Sequence, residues 1–428
     1  MALIVACSFS PSCLAFNVDS LDGALTDEIS ELVESGDIPS LQVCVVSGDK
    51  KWVKGFGGQT SEDTVFLVGS IQKVFVAISI LQLYEEGLMG LDDDVNKHLP
   101  FSIRHPGYPD KPITIRMLLS HRSGLDATLP SEFQYDWRDD IPPDESIPDD
   151  FIGVSLEEWL EMNLVMGGSL YLPSHWVWEP DTRYSYSNNG FKILMCILER
   201  VTGQSIQDYM DEHIFTPLQM DHTGFDSLEF MDVHATPHTR KYGNDTNIPL
   251  PVWNGRYMLR SSASDMGNLM MALMNDGVFN GARILEKETV ELMSTNTRPS
   301  IFIRDLLRGL KRDGYGMGIE VCNHGLLGHG GSSVGFTGEF YLSPSKDMGF
   351  VRLSNVNAIL DYTSEGWRDI GQATDHIRAS VMRKTGLLPP VDYILLFPVA
   401  GVLVVLILNR RKILEQLGAR INFGAENS

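Results

Sequence analysis

Cysteine is scarce in this sequence, and the few cysteines are not arranged in pairs. The chain of 428 residues contains five, Cys7, Cys13, Cys44, Cys196 and Cys322, with no C-x-x-C pair and no histidine cluster beside them. This spacing excludes a zinc ribbon and a legible disulfide framework. The first two lie in a predicted leader, and three is an odd number, so at least one of the others is expected to be free or bonded to another chain.

Basic residues are also few, and their shortage bears on the partners of the protein. The 34 lysines and arginines are outnumbered by 56 acidic residues, which gives a formal net charge of -22. A chain of this charge repels nucleic acid and anionic lipid head groups, so no nucleic-acid partner is expected. With 43% hydrophobic and 21% charged residues, the composition is that of a globular protein, and no internal repeat is visible.

The N-terminal end has no charged residue. Residues 1–15 are apolar and end in Cys13-Leu14-Ala15, a small-residue pattern typical of a secretory cleavage site, although a basic n-region is missing. Residues 1–16 are therefore interpreted as a signal segment, which is either a short leader or the remainder of one whose translation starts upstream.

An apolar run near the C-terminal end indicates a membrane anchor. The uncharged residues 393–408 extend back to Leu387, interrupted by one aspartate, and a basic cluster follows at 410–412. This length suffices to span a bilayer core, and basic flanks stay on the cytoplasmic side. We expect a transmembrane helix at 387–409, a cytoplasmic tail at 410–428 and a single-pass protein of the cell membrane whose main domain is extracytoplasmic. The alternative is a buried core helix.

Between the two ends, the strand and helix patterns are unevenly distributed. The clearest patterns are strands at 41–46, 51–56, 338–342 and 349–353 and helices at 19–36 and 364–383. They predict one sheet, built from both ends of a domain at 17–386, around a large helical insertion at about residues 80–310.

An acidic segment interrupts this insertion. Residues 131–150 contain eight acidic residues, one arginine and three prolines without useful periodicity, so they predict a surface loop. The loop is either an acidic lid that favours cationic substrates or a solvated insertion.

Ser70 and Lys73 form the first candidate for a reactive site. Residues i and i+3 share a face of a helix, and a helix N-terminus favours developing negative charge, so a serine and a lysine in Ser70-Ile71-Gln72-Lys73 can act together. The following residues, 74–83, are apolar nearly all round, which predicts a central helix in which a buried lysine tends to lose its proton.

The S-x-x-K pattern also occurs twice elsewhere in the chain. Ser47-Gly48-Asp49-Lys50 and Ser343-Pro344-Ser345-Lys346 contain turn residues between predicted strands, where the two side chains would not be held together. Only the copy at Ser70 opens a long apolar helix, and this context selects it.

Tyr186-Ser187-Asn188 is the second candidate element. It stands just ahead of a predicted helix at 191–201. The phenol of Tyr186 could relay protons near Lys73, and the amide of Asn188 could hold the substrate or Lys73. The similar Tyr242-Gly243-Asn244 lies in a polar stretch and is interpreted as an exposed loop.

The third candidate element is His329-Gly330-Gly331-Ser332, in a small-residue segment that leads toward a strand hairpin. Glycines let a ligand lie against the backbone, so the amide of Ser332 could join the amide of Ser70 in an oxyanion hole. His329 could offer a cation or a hydrogen bond to the substrate. The other two H-x-G triplets, at His105 and His222, are interpreted as turns.

These three motifs, in this order, resemble those of the serine β-lactamase and penicillin-binding protein superfamily. The likeness is greatest to the class C β-lactamase and D-alanyl-D-alanine carboxypeptidase branch, peptidase family S12, and it extends over about residues 20–384. The resemblance implies a β-lactamase-like α/β (α+β) fold with an antiparallel sheet flanked by helices, and a cleft between the lobes with His329 on an edge strand. In that family, Ser120 and His121 would belong to a helix end and a turn near the cleft.

The resemblance also implies a function. Ser70 would form an acyl-enzyme, Lys73 and Tyr186 would share the proton transfers, Asn188, His329 and Gly331 would help bind the substrate, and the amides of Ser70 and Ser332 would hold the oxyanion. The implied substrate is a small peptide with a D-residue or a β-lactam, and no metal or other cofactor is implied.

The third motif departs from that of β-lactamases, because His-Gly-Gly stands where they have K-T-G. Binding of a substrate carboxylate would therefore be weaker and pH-dependent. The alternatives are an esterase and a binding or sensor domain without turnover.

Overall fold

The computed structural model describes residues 18–36, 38–58, 60–126, 154–225, 229–240, 247–249, 257–295, 297, 312–333, 335–357 and 366–387. Its α-helices are α1 (Ala24–Glu34), α2 (Gln72–Glu85), α3 (Ile115–Leu119), α4 (Leu156–Leu164), α5 (Asn188–Thr202), α6 (Ile206–Met210), α7 (Ala263–Met274), α8 (Lys287–Met293) and α9 (Gly366–Lys384). Its strands are β1 (Leu41–Ser47), β2 (Lys50–Phe56), β3 (Phe66–Leu67), β4 (His238–Arg240), β5 (Asn247–Pro249), β6 (Arg260–Ser261), β7 (Val278–Phe279), β8 (Ala282–Arg283), β9 (Arg312–Tyr315), β10 (Glu320–Cys322), β11 (Leu327–Ser333), β12 (Phe336–Ser343), β13 (Met348–Ser354) and β14 (Val356–Asn357).

The main sheet joins the two ends of the described chain. Its seven strands follow the order β2-β1-β13-β12-β11-β10-β9, and every neighbouring pair is antiparallel. The predicted hairpins β1/β2 and β12/β13 are both present, and the first turns at Gly48, whose φ of +60° is readily adopted only without a Cβ atom. The expectation of an antiparallel sheet built from both ends is therefore confirmed.

Helices cover both faces of this sheet. On one face, α1 and α9 pack against each other, and an apolar cluster that includes Leu25, Val43 and Ile377 lies beneath them. On the other face, α7 packs on β1 and β13, and a larger apolar cluster continues into α2 and α5. Because both faces are covered, β1 is a nearly continuous apolar run and its first six residues are buried. Cys44, Cys196 and Cys322 are buried and form no disulfide with one another in the described part of the chain.

Helix α2 lies at the centre of the larger cluster. Each residue from Lys73 to Leu83 is buried, which explains why the helix is apolar on all sides rather than on one face. Helix α5 begins at Asn188, three residues earlier than the sequence predicted, because the Ser187 side chain accepts a hydrogen bond from the Gly190 amide and caps the helix there.

The prediction that His329 lies on an edge strand is wrong. Its strand β11 is third from the edge, since β10 and β9 lie outside it. However, β10 pairs only with Leu327 and Gly328, so within the described residues the part of β11 from His329 onward has a partner strand only on the β12 side. Beyond Gly328, β11 instead lies against residues 69–71, which directly precede α2.

Several predicted segments lie outside the described residues. These are the signal segment 1–16, the acidic loop 131–150, the tail 410–428 and the transmembrane segment 387–409 apart from Leu387. Within the described part of the chain, no helix has the length and apolar character needed to cross a membrane. The anchor and the domain boundaries stay predictions.

Candidate active site

Ser70 lies in a single 3-10 turn, Gly69–Ile71, directly before α2. Gly69 has a φ of +54°, and a Cβ atom on it would lie 2.6 Å from the backbone nitrogen of Ser332, so only glycine fits this turn without strain. The half-buried Ser70 hydroxyl therefore lies at the entry to a central helix and against strand β11.

Lys73 follows in the first turn of α2, on the same side as Ser70. Its side chain is buried, and Nζ donates hydrogen bonds to Oγ of Ser70 at 3.1 Å and to Oδ1 of Asn188 at 2.7 Å. Burying an amine is unfavourable unless polar groups replace water, and here the two side-chain oxygens do so. The structure thus brings Ser70, Lys73 and Asn188 together.

Tyr186 completes the group around the serine. Its hydroxyl donates to Oγ of Ser70 at 2.8 Å, and its ring centroid lies 4.9 Å from Nζ of Lys73. The residue stands in the loop before α5, where the Ser187 cap fixes the start of the helix and thereby the position of Asn188. A serine oxygen within hydrogen-bond distance of both an amine and a phenol is an arrangement suited to nucleophilic attack with proton transfer.

His329 lies beside this group, but its ring is engaged within the protein. The side chain is 2% exposed; Nε2 lies 3.0 Å from the Tyr315 hydroxyl and Nδ1 lies 2.6 Å from the Gly330 carbonyl oxygen. The ring centroids of His329 and Tyr186 are 6.5 Å apart. Contact of His329 with a substrate stays a prediction.

Gly331 and Ser332 bring β11 against the turn that carries Ser70. A Cβ atom on Gly331 would lie 1.9 Å from the carbonyl oxygen of Val68, so a side chain is excluded by protein backbone rather than by a ligand. The hydroxyl of Ser332 accepts a hydrogen bond from Nδ2 of the Asn357 side chain at 2.6 Å. The backbone of Ser332 is thus held next to the nucleophile, and its role as an oxyanion donor stays a prediction.

A cleft of about 560 Å³ opens at this point. Ser70, Tyr186, His329, Gly331 and Ser332 line it, and the sequence analysis missed several other lining residues: Tyr184, Tyr315, Glu320, Glu339 and Arg352. Tyr184 precedes Tyr186 by two residues, and in an extended segment side chains at this spacing lie on the same side. This spacing could have identified Tyr184 as a lining residue from the sequence. The others come from sheet strands and are marked by no local motif.

Glu339 and Arg352 form a buried ion pair in the wall of this cleft. Oε1 of Glu339 lies 3.2 Å from Nε of Arg352, and Oε2 lies 2.7 Å from Nη1 of Arg378. Burial alone would raise the pKa of Glu339, but the two guanidinium groups outweigh it and hold the pKa below its ordinary value of 4.5. The carboxylate is therefore ionised and joins β12, β13 and α9.

The other copies of the motifs, where the structure describes them, do not line the cleft. The segments Ser47–Lys50 and Ser343–Lys346 are the connections of the β1/β2 and β12/β13 hairpins, as predicted. His105 accepts a hydrogen bond from the Gly107 amide within a turn, and Thr223 after His222 bonds to Asp265. Tyr242-Gly243-Asn244 lies outside the described residues.

Ser120 and His121 form a helix end near the cleft, as predicted. Oγ of Ser120 donates to the Arg116 carbonyl oxygen at 2.6 Å, so it is directed back along α3. The His121 ring lies 4.3 Å from the Tyr186 ring. Burial and the neighbouring charges of Lys73 and His329 lower the pKa of His121 well below its usual 6.5.

Comparison with known proteins shows the family. The family described as Beta-lactamase matches residues 25–375. Protein flp of Staphylococcus aureus strain MW2 is 26% identical over 341 residues, which are 76% of this chain and 61% of that protein. The chain thus spans about three fifths of the length of such curated relatives.

Solved structures share the fold. A penicillin-binding protein homologue from Pyrococcus abyssi superposes with a TM-score of 0.65 at 25% identity, over 78% of this chain and 73% of that one. The D-amino acid amidase of Ochrobactrum anthropi SV3 in complex with L-phenylalanine amide gives a TM-score of 0.60 at 20% identity, over 84% and 99%. Since the family match covers most of the sequence, the chain belongs to the Beta-lactamase family.

Proposed function

We propose that this protein is a serine hydrolase that forms an acyl-enzyme on Ser70 and cleaves an amide bond in a small peptide with a D-residue or in a β-lactam-like substrate. One observation carries the proposal: Oγ of Ser70 lies 3.1 Å from Nζ of Lys73 and 2.8 Å from the hydroxyl of Tyr186. These are distances at which a proton can leave the serine as it attacks a carbonyl carbon.

The reaction follows from this arrangement. Oγ of Ser70 bonds to the carbonyl carbon, and its proton passes to the unprotonated member of the Lys73 and Tyr186 pair. The carbonyl electron pair moves to oxygen, where the amides of Ser70 and Ser332 stabilise it. The carbon–nitrogen bond then breaks, and the leaving amine takes the proton through Tyr186. Water then attacks the acyl carbon by the same sequence of steps, and the acyl group leaves Ser70. Asn188 holds Lys73 in place at 2.7 Å throughout.

The size of the cleft supports a small substrate, and the names of proteins with the same fold support an amide rather than an ester. A cleft of about 560 Å³ suits a small ligand rather than a folded protein. Among proteins of the same fold, the amidase of Ochrobactrum anthropi SV3 is named for amides of D-amino acids, and others are named as penicillin-binding proteins. An esterase or a sensor domain without turnover would use the same residues.

Intact-mass spectrometry of the wild type and of Ser70→Ala tests the proposal. Each protein is incubated separately with a penicillin, a fluorophosphonate and a D-Ala-D-Ala peptide. We expect a penicillin adduct that depends on Ser70, or cleavage of the peptide. An adduct with the fluorophosphonate alone would favour the esterase, a permanent penicillin adduct would favour the sensor, and no adduct would refute the acyl-enzyme.

We further propose that the domain is extracytoplasmic and anchored by a helix at 387–409. The support is the apolar run of residues 393–408 and the basic cluster at 410–412. Deletion from Pro389 onward should release an active protein from membranes, whereas the full chain should resist a carbonate wash. A truncated protein that still sediments with membranes would contradict the anchor.

A further inference from the structure

His121 is a buried residue that the proposed reaction does not use. It follows the end of α3 with a φ of +54°, in the left-handed region that residues other than glycine rarely adopt, and its side chain is 1% exposed. A strained backbone and a buried imidazole beside a reactive group need a compensating gain in the surrounding structure.

The hydrogen bonds of His121 hold both neighbours of Tyr186. The carbonyl oxygen of His121 accepts from the Ser185 amide at 2.8 Å, and Nδ1 of the imidazole accepts from the Ser187 amide at 3.1 Å. The left-handed backbone lets the carbonyl group and the side chain of one residue reach two amides two positions apart. Because Nδ1 accepts, the proton of the neutral ring is on Nε2.

The imidazole also supports the phenol ring directly. The ring centroids of His121 and Tyr186 are 4.3 Å apart at an interplanar angle of 37°, and Tyr184, Phe191 and Tyr315 surround the imidazole at 4.7 to 5.7 Å. The ring stays neutral in this setting, because burial and the charges of Lys73 and His329 lower its pKa well below 6.5. A neutral ring keeps Nδ1 available as an acceptor at physiological pH.

We infer that His121 is a positioning residue that fixes the hydroxyl of Tyr186 against Ser70, by holding the amides on both sides of Tyr186 and by packing against its ring. The inference rests on the proposed acylation of Ser70. The 2.8 Å contact between the Tyr186 hydroxyl and Oγ of Ser70 depends on this support, because Tyr186 lies in a loop rather than in a helix or strand.

Two substitutions separate the acceptor from the ring. His121→Asn places an amide oxygen where Nδ1 stands and tolerates the left-handed backbone, whereas His121→Phe keeps a ring but loses the acceptor. The matched control is His105→Phe, which removes a similar contact, from Nδ1 to the Gly107 amide at 2.9 Å, in a turn outside the cleft.

The rate of covalent labelling of Ser70 by a fluorophosphonate is measured against probe concentration for each variant. We expect His121→Phe to lower the maximal rate at least about tenfold with little change in the half-saturating concentration, and His121→Asn to recover most of it. His105→Phe should label like the wild type. A folded His121→Phe that labels at the wild-type rate, or equal losses in the Asn and Phe variants, would overturn the positioning role.

The wild type provides a second test that does not depend on a variant folding. In a two-bond 1H–15N spectrum of histidine at neutral pH, His121 should carry its proton on Nε2, with Nδ1 unprotonated. A proton on Nδ1 would overturn the inference. Wild-type protein that is not labelled at Ser70 would refute the proposed function itself, and the positioning role with it.

Discussion

Replacement of Gly331 by alanine should push strand β11 away from the turn that carries Ser70. The added Cβ atom would lie 1.9 Å from the carbonyl oxygen of Val68 and 3.2 Å from Cγ1 of Ile71. The nearer atom is backbone, and the carbonyl accepts the Ile71 amide in the 3-10 turn, so no side-chain rotation relieves the clash. The strand must shift by about 1.1 Å to restore a 3.0 Å separation.

This shift has two measurable consequences. Overpacking of this kind destabilises a protein by about 1 to 3 kcal/mol, which urea unfolding detects. A displacement of about 1 Å at a reacting centre lowers rates by up to about 100-fold, and loss of one oxyanion donor has a similar effect. Since the amides of Ser70 and Ser332 lie on the two sides of the displaced contact, we expect labelling of Ser70 to slow by about 100-fold.

The matched control is Gly190→Ala, in helix α5 close to Asn188. The atom nearest to its Cβ would be Cδ2 of Leu118, at an ordinary contact distance of 3.5 Å. Alanine is favoured over glycine inside a helix, so this variant should be up to about 1 kcal/mol more stable and label normally. If folded Gly331→Ala labelled within about threefold of the wild type, the proposed oxyanion arrangement would be refuted.

Three further changes address single groups of the site. Lys73→Met should slow labelling by about 100-fold or more, because it removes the amine 3.1 Å from Oγ of Ser70, and retention of the rate would exclude Lys73 as a proton acceptor. Tyr186→Phe keeps the ring and removes the hydroxyl, so stopped-flow measurements should show slower acylation while the unfolding midpoint changes little. Glu339→Gln should destabilise by about 3 to 5 kcal/mol, because it leaves the Arg352 charge buried. Folding lowers the pKa of Glu339, so the ionised carboxylate adds to the free energy of unfolding above about pH 4.5, and this stabilisation is lost as the pH falls through the pKa of the folded protein. If the Gln variant and the wild type lost equal stability in acid, this reasoning would be contradicted.

The parts of this protein that could be predicted from sequence are those that depend on short spacings. Ser70 and Lys73 share a face because they are three residues apart at a helix start, and the apolar run after them indicates a buried helix. The β1/β2 and β12/β13 hairpins are visible because turn residues separate two strand patterns. Burial and backbone conformation are set largely within such segments.

Tertiary structure decided which of these segments meet. Tyr186 reaches Ser70 across 116 positions of the chain, and His121 reaches the Ser187 amide across 66. The interior position of β11 and the ion pair of Glu339 with Arg352 likewise depend on the order of strands in the sheet. A residue pattern indicates which face of a helix or strand is buried. It does not indicate which segment covers that face, because many distant segments have an apolar surface that could pack there. The packing of the whole chain selects the partner.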